Sequence, residues 1–477
     1  MSRIQFGLSG GLSPRDLDTI HQALLQVLDE TGMECAHSLT ADVLTATEGI
    51  RFDNGRIKFS RDLVNETIER ARAAGRQRRP AERVRVSAPW NCLNVIDMDD
   101  DAIRASTAAD VVSMLKLVAG FNEYGCAPVY PCDLDPRVQI LWLEKICLEL
   151  TPGFGGDMVS HDPQTIRWIG RLHGALGRRY PLGLQFLISP LRLDHLALDL
   201  LWQFKGDPLV HVSANTCPIP VGGLTAPLCS SALLVQALAE SVGGMIVAER
   251  LGMADCGQVA YLRADIGDMR HMTIGYSLPE NVMVQVLLRD VAERFSGYRM
   301  DTIYINTNAK RADALANVDR MAYMLMLGLA GFRNFILGAG QLSMDEVFSP
   351  AQFIIDMEIG HYIQHVLDGM PWQGEAGAGE IAGIIAEGVA EGNYLTHPST
   401  LDALPHLFRS RLFAGTNLGQ WRAAGGMTIE RTALQRAREA IESYQFELEP
   451  ATRAALNQVF SEACRDLGVD LSTQPIP

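Results

Sequence analysis

The stretch Leu182-Gly-Leu-Gln-Phe-Leu-Ile188, then the run 192–204 (Arg-Leu-Asp-His-Leu-Ala-Leu-Asp-Leu-Leu-Trp-Gln-Phe), then Leu209-Val-His-Val-Ser213, decides the fold. The outer pieces are short apolar runs bounded by turn residues, which read as buried strands. The middle piece is longer, and its apolar residues recur at helical spacing. Strand, helix, strand is the unit of a parallel sheet, because parallel neighbours need a long crossover.

The same alternation extends in both directions. Strands are predicted near 126–130, 155–159, 182–188, 209–213, 259–262, 302–306 and 334–337. Helices fall between them at 140–150, 192–204, 230–251, 280–295 and 313–329. An eighth unit is placed after residue 365. No G-x-G-x-x-G follows the first strand, which disfavours a dinucleotide fold. The expected class is α/β, a TIM (β/α)8 barrel over 106–427. An N-terminal α+β extension occupies 1–105 and a C-terminal helical tail 428–477.

The extension has clear punctuation. Ser13 can cap a helix over 12–32, and Pro14 suits its first position. Leu17, Ile20, Leu24, Val27 and Leu28 form its apolar stripe, and Gly32 can close it. A second helix is predicted over 61–74. Asn54-Gly55 suits the turn of a hairpin over 50–59, and 92–106 reads as another hairpin.

Composition excludes more than it identifies. The chain has 477 residues, 41 Lys+Arg against 56 Asp+Glu, and a net charge of −15. An acidic surface disfavours nucleic acid and anionic membranes as partners. The 9 cysteines form no C-x-x-C pair, and the odd count argues against a secreted disulfide framework. The N-terminus lacks a basic region followed by an apolar run. The nearest approach to a membrane span is 221–251, interrupted by Glu240 and Glu249. A cytoplasmic protein is expected.

In a TIM barrel, chemistry sits at the C-terminal strand ends. The predicted ends carry Tyr130, Cys132 and Asp133; Asp157 and His161; Gln185 and Ser189; His211, Asn215 and Cys217. They continue with Arg263 and Asp265; Tyr304, Asn306, Lys310 and Arg311; and Gln341. This crown is polar but short of convergent acids and bases. His211 alternates with apolar neighbours and reads equally as a hydrogen-bonded barrel residue. Cys132, His211 and Cys217 suit zinc by ligand type, but their spacing is not diagnostic and buried structural residues are the better reading. The glycine-rich 221–224 and 374–379 lack the P-loop Lys-Ser/Thr and read as turns. Lys310 and Arg311 can hold an anionic group or lie in a solvated loop.

Several stretches, in consistent order from residue 11 to about 440, resemble the trimethylamine methyltransferase family, in its branch without pyrrolysine. Leu12-Ser-Pro-Arg-Asp-Leu-Asp-Thr-Ile-His21 is similar to the family's opening helix. Ser189-Pro-Leu-Arg-Leu-Asp194, the small-residue segment 218–248 and Thr307-Asn-Ala-Lys310 resemble further signatures. So do Phe348-Ser-Pro-Ala-Gln-Phe-Ile-Ile-Asp-Met-Glu-Ile359 and Gly392-Asn-Tyr-Leu-Thr-His-Pro-Ser-Thr-Leu401. Asn308 and Met357 stand where the family usually has Asp.

The resemblance implies a TIM barrel that transfers a methyl group to the cob(I)amide of a separate corrinoid protein. It implies a quaternary amine as donor, such as glycine betaine, because only standard residues occupy the segment where pyrrolysine belongs. The cofactor is then a corrinoid (cobalamin) on the partner, with no tightly bound metal expected, and a homo-oligomer is expected. Such a site holds a cation on aromatic faces, for which Tyr130, Phe186, Tyr304 and Phe348 are candidates. Asp133 can add negative charge. His211, Asn215, Lys310 and Arg311 can donate to a betaine carboxylate, and Asn306 and Gln341 can orient it. The alternatives are a zinc-dependent methyltransferase for a thiol or alcohol, and a barrel that binds quaternary amines without catalysis.

Overall fold

The computed structural model describes residues 2–90, 92–121, 127–152, 162–253, 262–372 and 377–470. The predicted strand at 155–159, with Asp157 and His161, lies outside the described residues, as does nearly all of 259–262.

The N-terminal punctuation acts as its chemistry dictates. Ser13 and Asp16 form a reciprocal capping box on the helix Pro14–Gln26. The helix widens into a π turn, Val27–Thr31, before Gly32 ends it at φ 66°. Asn54 and Gly55 take φ of 50° and 76°, the left-handed pair that joins Ile50–Asp53 to Arg56–Phe59 in a tight hairpin.

Parallel pairing dominates the chain from residue 180 onward. Tyr180–Gln185 and Val210–Asn215 pair in parallel, Tyr180 opposite Val210 and Gln185 opposite Asn215. The helix between them is His195–Phe204, shorter than the 192–204 expected from apolar spacing. The Asp194 carboxylate accepts from the Leu196 amide and sets the start there, while Arg192–Leu193 pairs as a strand. Thr302–Tyr304 and Asn334–Ile336 pair in parallel across the helix Ala314–Leu329. Val221–Gly222 runs parallel to Asp265–Asp268.

The other neighbour of Asn334–Ile336 comes from earlier in the chain. Arg85–Val86 pairs with it in parallel, and Cys92 bridges Val129 in parallel. The segment 85–92 therefore stands between the 334–336 strand and residue 129. After residue 365, where an eighth unit was expected, Met370–Trp372 instead pairs antiparallel with Ser2–Ile4, and Ala378–Glu391 is a helix.

Burial along the parallel strands shows which face is packed. Tyr180, Leu182 and Leu184 are buried in the core, whereas Pro181, Gly183 and Gln185 are half-buried. Those three register with His211, Ser213 and Asn215, so one face of this pair is incompletely packed. Thr302, Tyr304, Asn334 and Ile336 behave alike around buried Ile303 and Phe335.

The helix Ser230–Arg250 is long and apolar enough to cross a membrane, and it is largely buried within the protein. Its Glu240 accepts hydrogen bonds from Ser189, the Leu191 amide and Gln236. The tail forms Ile429–Ser443, against Pro350–Leu367 and Ala108–Gly120, and Pro450–Asp466, against Pro163–Ala175.

Candidate functional site

Arg263 and Asp265 lie two residues apart and are both buried. The guanidinium is 3.0 Å from the Asp265 carboxylate. It sits over the Tyr304 ring at 4.6 Å from the centroid and near Tyr276 at 5.8 Å. Its Nη2 donates to the Tyr276 hydroxyl at 3.3 Å. Burial pushes the Tyr276 phenol above its ordinary range, with Arg263 opposing. Tyr323 and the Cys217 thiol are raised for the same first reason.

The site leaves acceptors unsatisfied. Oδ1 of Asp265, Oδ1 of Asn306 and Oε1 of Gln341 find no hydrogen-bond partner among the described residues, with Oδ2 of Asp265 held in the Arg263 ion pair. All three side chains are more than nine-tenths buried. An orphaned buried acceptor costs about 1–3 kcal/mol, so such a group asks for a ligand or water.

A hairpin brings a second carboxylate to this place. Gln341–Leu342 pairs antiparallel with Val347–Phe348, and Asp345 lies in the turn. Ser343, Met344 and Asp345 take φ of 53°, 55° and 78°. Three successive left-handed non-glycine residues cost on the order of 1 kcal/mol each. Backbone bonds from Ser343 to Ala309 and from Met344 to Thr307 pin the turn to the loop that follows Tyr304. Asp345 is solvent-accessible yet surrounded by protein, and burial raises its pKa, with Arg263 and Arg320 opposing and Asp265 adding. Cys217 combines accessibility and enclosure in the same way. Both groups are thus open to solvent while protein surrounds them on several sides.

Buried polar bonds fix the loops around the site. Arg320 donates to the carbonyls of Gly338 (2.7 Å) and Gln341 (2.5 Å) and pairs with Asp356 at 3.2 Å. Asp356 also accepts from the Gly340 amide and from Gln352. Gly338 is obligatory, because a Cβ there would stand 1.6 Å from the Ile305 carbonyl oxygen. Asp319 accepts from Thr307 and Ser277, and Asn308 donates to Ile274, tying the 306–308 loop to the segment that carries Tyr276.

The structure brings together Tyr304, Asn306 and Gln341 from the sequence-predicted set. Tyr130 is near them through Cys92, whose carbonyl its amide binds and whose thiol feels Asp345 and Gln341. His211 lies half-buried on the incompletely packed face, and Asn215 accepts from the Cys217 amide. Asp133 accepts from the Ala108 amide at the start of a helix. Phe186 and Phe348 are fully buried in the core. Lys310 is exposed and donates to the Asn308 carbonyl, and Arg311 pairs with Asp101 at the surface. Among the described residues no three His, Cys, Asp or Glu side chains converge as a metal site. The imagined zinc ligand Cys132 is exposed, against the Leu93 carbonyl.

Sequence reasoning named Arg263 and Asp265 as strand-end residues without assigning them a role. Their signal was two charges at alternate positions next to an apolar run. Tyr276, Tyr323 and Asp345 were not singled out, since each lies outside the predicted strand ends.

Comparison with known proteins places the chain among relatives. A family model described as trimethylamine methyltransferase (MTTB) matches residues 6–466. The chain is 24% identical over 258 residues to the trimethylamine methyltransferase MttB of Methanosarcina thermophila, 54% of this chain and 51% of that one. The figures for the MttB of Methanosarcina barkeri are 24% over 258 residues, 54% and 50%. The chain thus spans about half the length of these relatives. The glycine betaine methyltransferase of Desulfitobacterium hafniense (strain Y51) is 21% identical over 429 residues, 82% of this chain and 83% of the relative. With the family model matched along nearly its whole length, the chain belongs to the trimethylamine methyltransferase (MTTB) family.

Proposed function

We propose that this protein moves a methyl group from a betaine-like quaternary amine to the cob(I)amide of a partner corrinoid protein. The observation that carries the reading is the buried pair of Arg263 and Asp265 against the Tyr304 ring, with accessible Asp345 and unsatisfied acceptors beside it. A betaine is a zwitterion, and this cluster offers both signs of charge beside aromatic faces. Arg263 is the buried cation that can meet its carboxylate.

The chemistry asks little acid–base work of the protein. A quaternary ammonium loses a methyl group with a neutral tertiary amine as leaving group, so no proton need be delivered. The corrinoid, when its carrier is docked, supplies the cobalt(I) nucleophile. The chain's residues hold the cation, align one methyl towards the docked carrier and exclude water.

The proposal includes a (β/α)8 barrel in which 85–92 takes the place first given to a segment after 365. The parallel pairs on either side of 85–92 support it. A partner's docking face has support beside the site. Leu228, Met269, Met272 and Met283 are exposed, and a cavity of about 680 Å³ is lined by Leu228, Met269 and Met283. Methionine-rich apolar surface adapts well to a partner. Self-association is supported by Ala378–Glu391, whose Ile381, Ile385 and Val389 are exposed one turn apart while only Gly388 is buried.

The test mixes the protein with a reduced corrinoid protein and a panel of quaternary and tertiary methylamines. Loss of the cobalt(I) absorbance with a betaine is the expected result. No change across the panel, with a carrier shown competent with another methyltransferase, overturns the proposal.

A further inference from the structure

The charged groups of this cluster differ in how they are partnered among the described residues. Arg263 has its carboxylate, Asp265, at 3.0 Å. Arg320 has Asp356 at 3.2 Å. Both arginines are felt by Asp345, but neither pairs with it, and its carboxylate makes no hydrogen bond or ion pair among the described residues. Among the described residues each of these two cations has a carboxylate paired with it, and Asp345 is the carboxylate left without one.

The backbone holds this unmatched group in place. The three left-handed residues 343–345 are pinned through two backbone bonds to the loop after Tyr304. An ordinary turn would need no such conformation, and a solvent-facing aspartate would need no such enclosure. Strain of this kind persists where surrounding structure over-determines it, and it concentrates at ligand sites. The buried oxygens of Asp265, Asn306 and Gln341 that accept no hydrogen bond among the described residues point independently to a ligand at the same place.

We propose that Asp345 is the counter-charge for the ammonium group of the bound substrate, and so the residue that selects a cation. The inference rests on the proposed quaternary-amine reading and deepens it. With Arg263 serving the carboxylate end, the two groups read the two ends of a zwitterion. A ligand with only the cation keeps the Asp345 contact and loses the other.

The surroundings of Asp345 also give it a pH signature. The groups whose charges bear on it are Arg263, Asp265 and Arg320, and it in turn bears on Tyr276 and Cys92. Burial holds its proton more tightly than an exposed aspartate would. A bound cation favours the ionised form. Binding below the free-state pKa therefore releases a proton, and affinity rises as pH increases through that pKa.

The experiment is calorimetric titration of the full chain with glycine betaine, choline and the uncharged isostere 3,3-dimethylbutanol. Each titration is run in two buffers of different ionisation enthalpy, on wild type and Asp345→Asn, with circular dichroism to verify folding. The expected result is at least a tenfold weaker affinity of the variant for both cations, no change for the isostere, and loss of proton release. Asp345→Glu is the conservative variant, expected to restore part of the affinity and the proton release. Wild type that binds cations and a folded Asp345→Asn that binds them equally overturn this assignment alone. Wild type that binds no quaternary ammonium overturns the assignment together with the functional reading beneath it.

Discussion

The guanidinium carbon of Arg263 lies 4.6 Å from the centre of the Tyr304 ring, with Asp265 3.0 Å from the same group. Ring and carboxylate fix its orientation from two sides. A buried ion pair of this kind is weak evidence for stability, because desolvation offsets much of the attraction. Its placement beside orphaned acceptors makes ligand binding the better account of it. Charge-assisted hydrogen bonds contribute about 1.5–3 kcal/mol, or roughly 10- to 150-fold in affinity. Arg263→Met should therefore weaken glycine betaine by about that factor and choline much less, measured by titration calorimetry. Equal loss for both ligands would remove Arg263 from carboxylate recognition.

Lys310 and Arg311 offer the contrasting case. Both are exposed, one turned to the Asn308 carbonyl and the other to Asp101. Exposed pairs are worth about 0–1 kcal/mol. Lys310→Ala and Arg311→Ala should leave the dissociation constant for glycine betaine within about twofold of wild type. A tenfold loss in either variant would return these residues to the binding site.

These two pairs show how much was legible in the sequence. Alternating apolar runs exposed the parallel units, and Ser13, Gly32 and Asn54-Gly55 marked the N-terminal helix and hairpin, because each depends on local backbone chemistry. The role of 85–92 was hidden, since strand neighbours are set by tertiary pairing that a short run does not announce. Lys310 follows a strand end as Arg263 does, and periodicity cannot say which side chain turns inward. Asp345 is set beside the site by left-handed backbone angles at 343–345, for which none of the three residues is glycine. Phe186 and Phe348 were aromatic and close to strand ends, yet packing took both into the core.

The Arg320–Asp356 pair positions the 338–342 turn rather than touching a ligand. Removing one partner leaves a buried charge alone, which costs about 3–5 kcal/mol. Asp356→Ala should lower the urea midpoint accordingly. Asp356→Asn keeps the shape and loses the charge, and its loss of ligand affinity should exceed that of a distant core variant of equal stability. Arg320→Ala with wild-type midpoint would show that the turn is held by its other bonds.

Glu240 gives the clearest pH dependence of stability. Its carboxyl is buried in the Ser230–Arg250 helix, and burial raises its pKa against the three hydrogen bonds that favour ionisation. The unfolded chain ionises this group in the ordinary range, near pH 4. The folded protein holds the proton to higher pH. Its contribution is therefore complete below the unfolded pKa and lost as pH rises through the folded one. Glu240→Gln has no proton to lose and resembles the protonated form. Urea midpoints measured from about pH 4 to pH 8 should show wild type losing ground steadily to this variant. A difference that is constant over that range would mean that the hydrogen bonds from Ser189, Leu191 and Gln236 outweigh burial, and that Glu240 is ionised throughout.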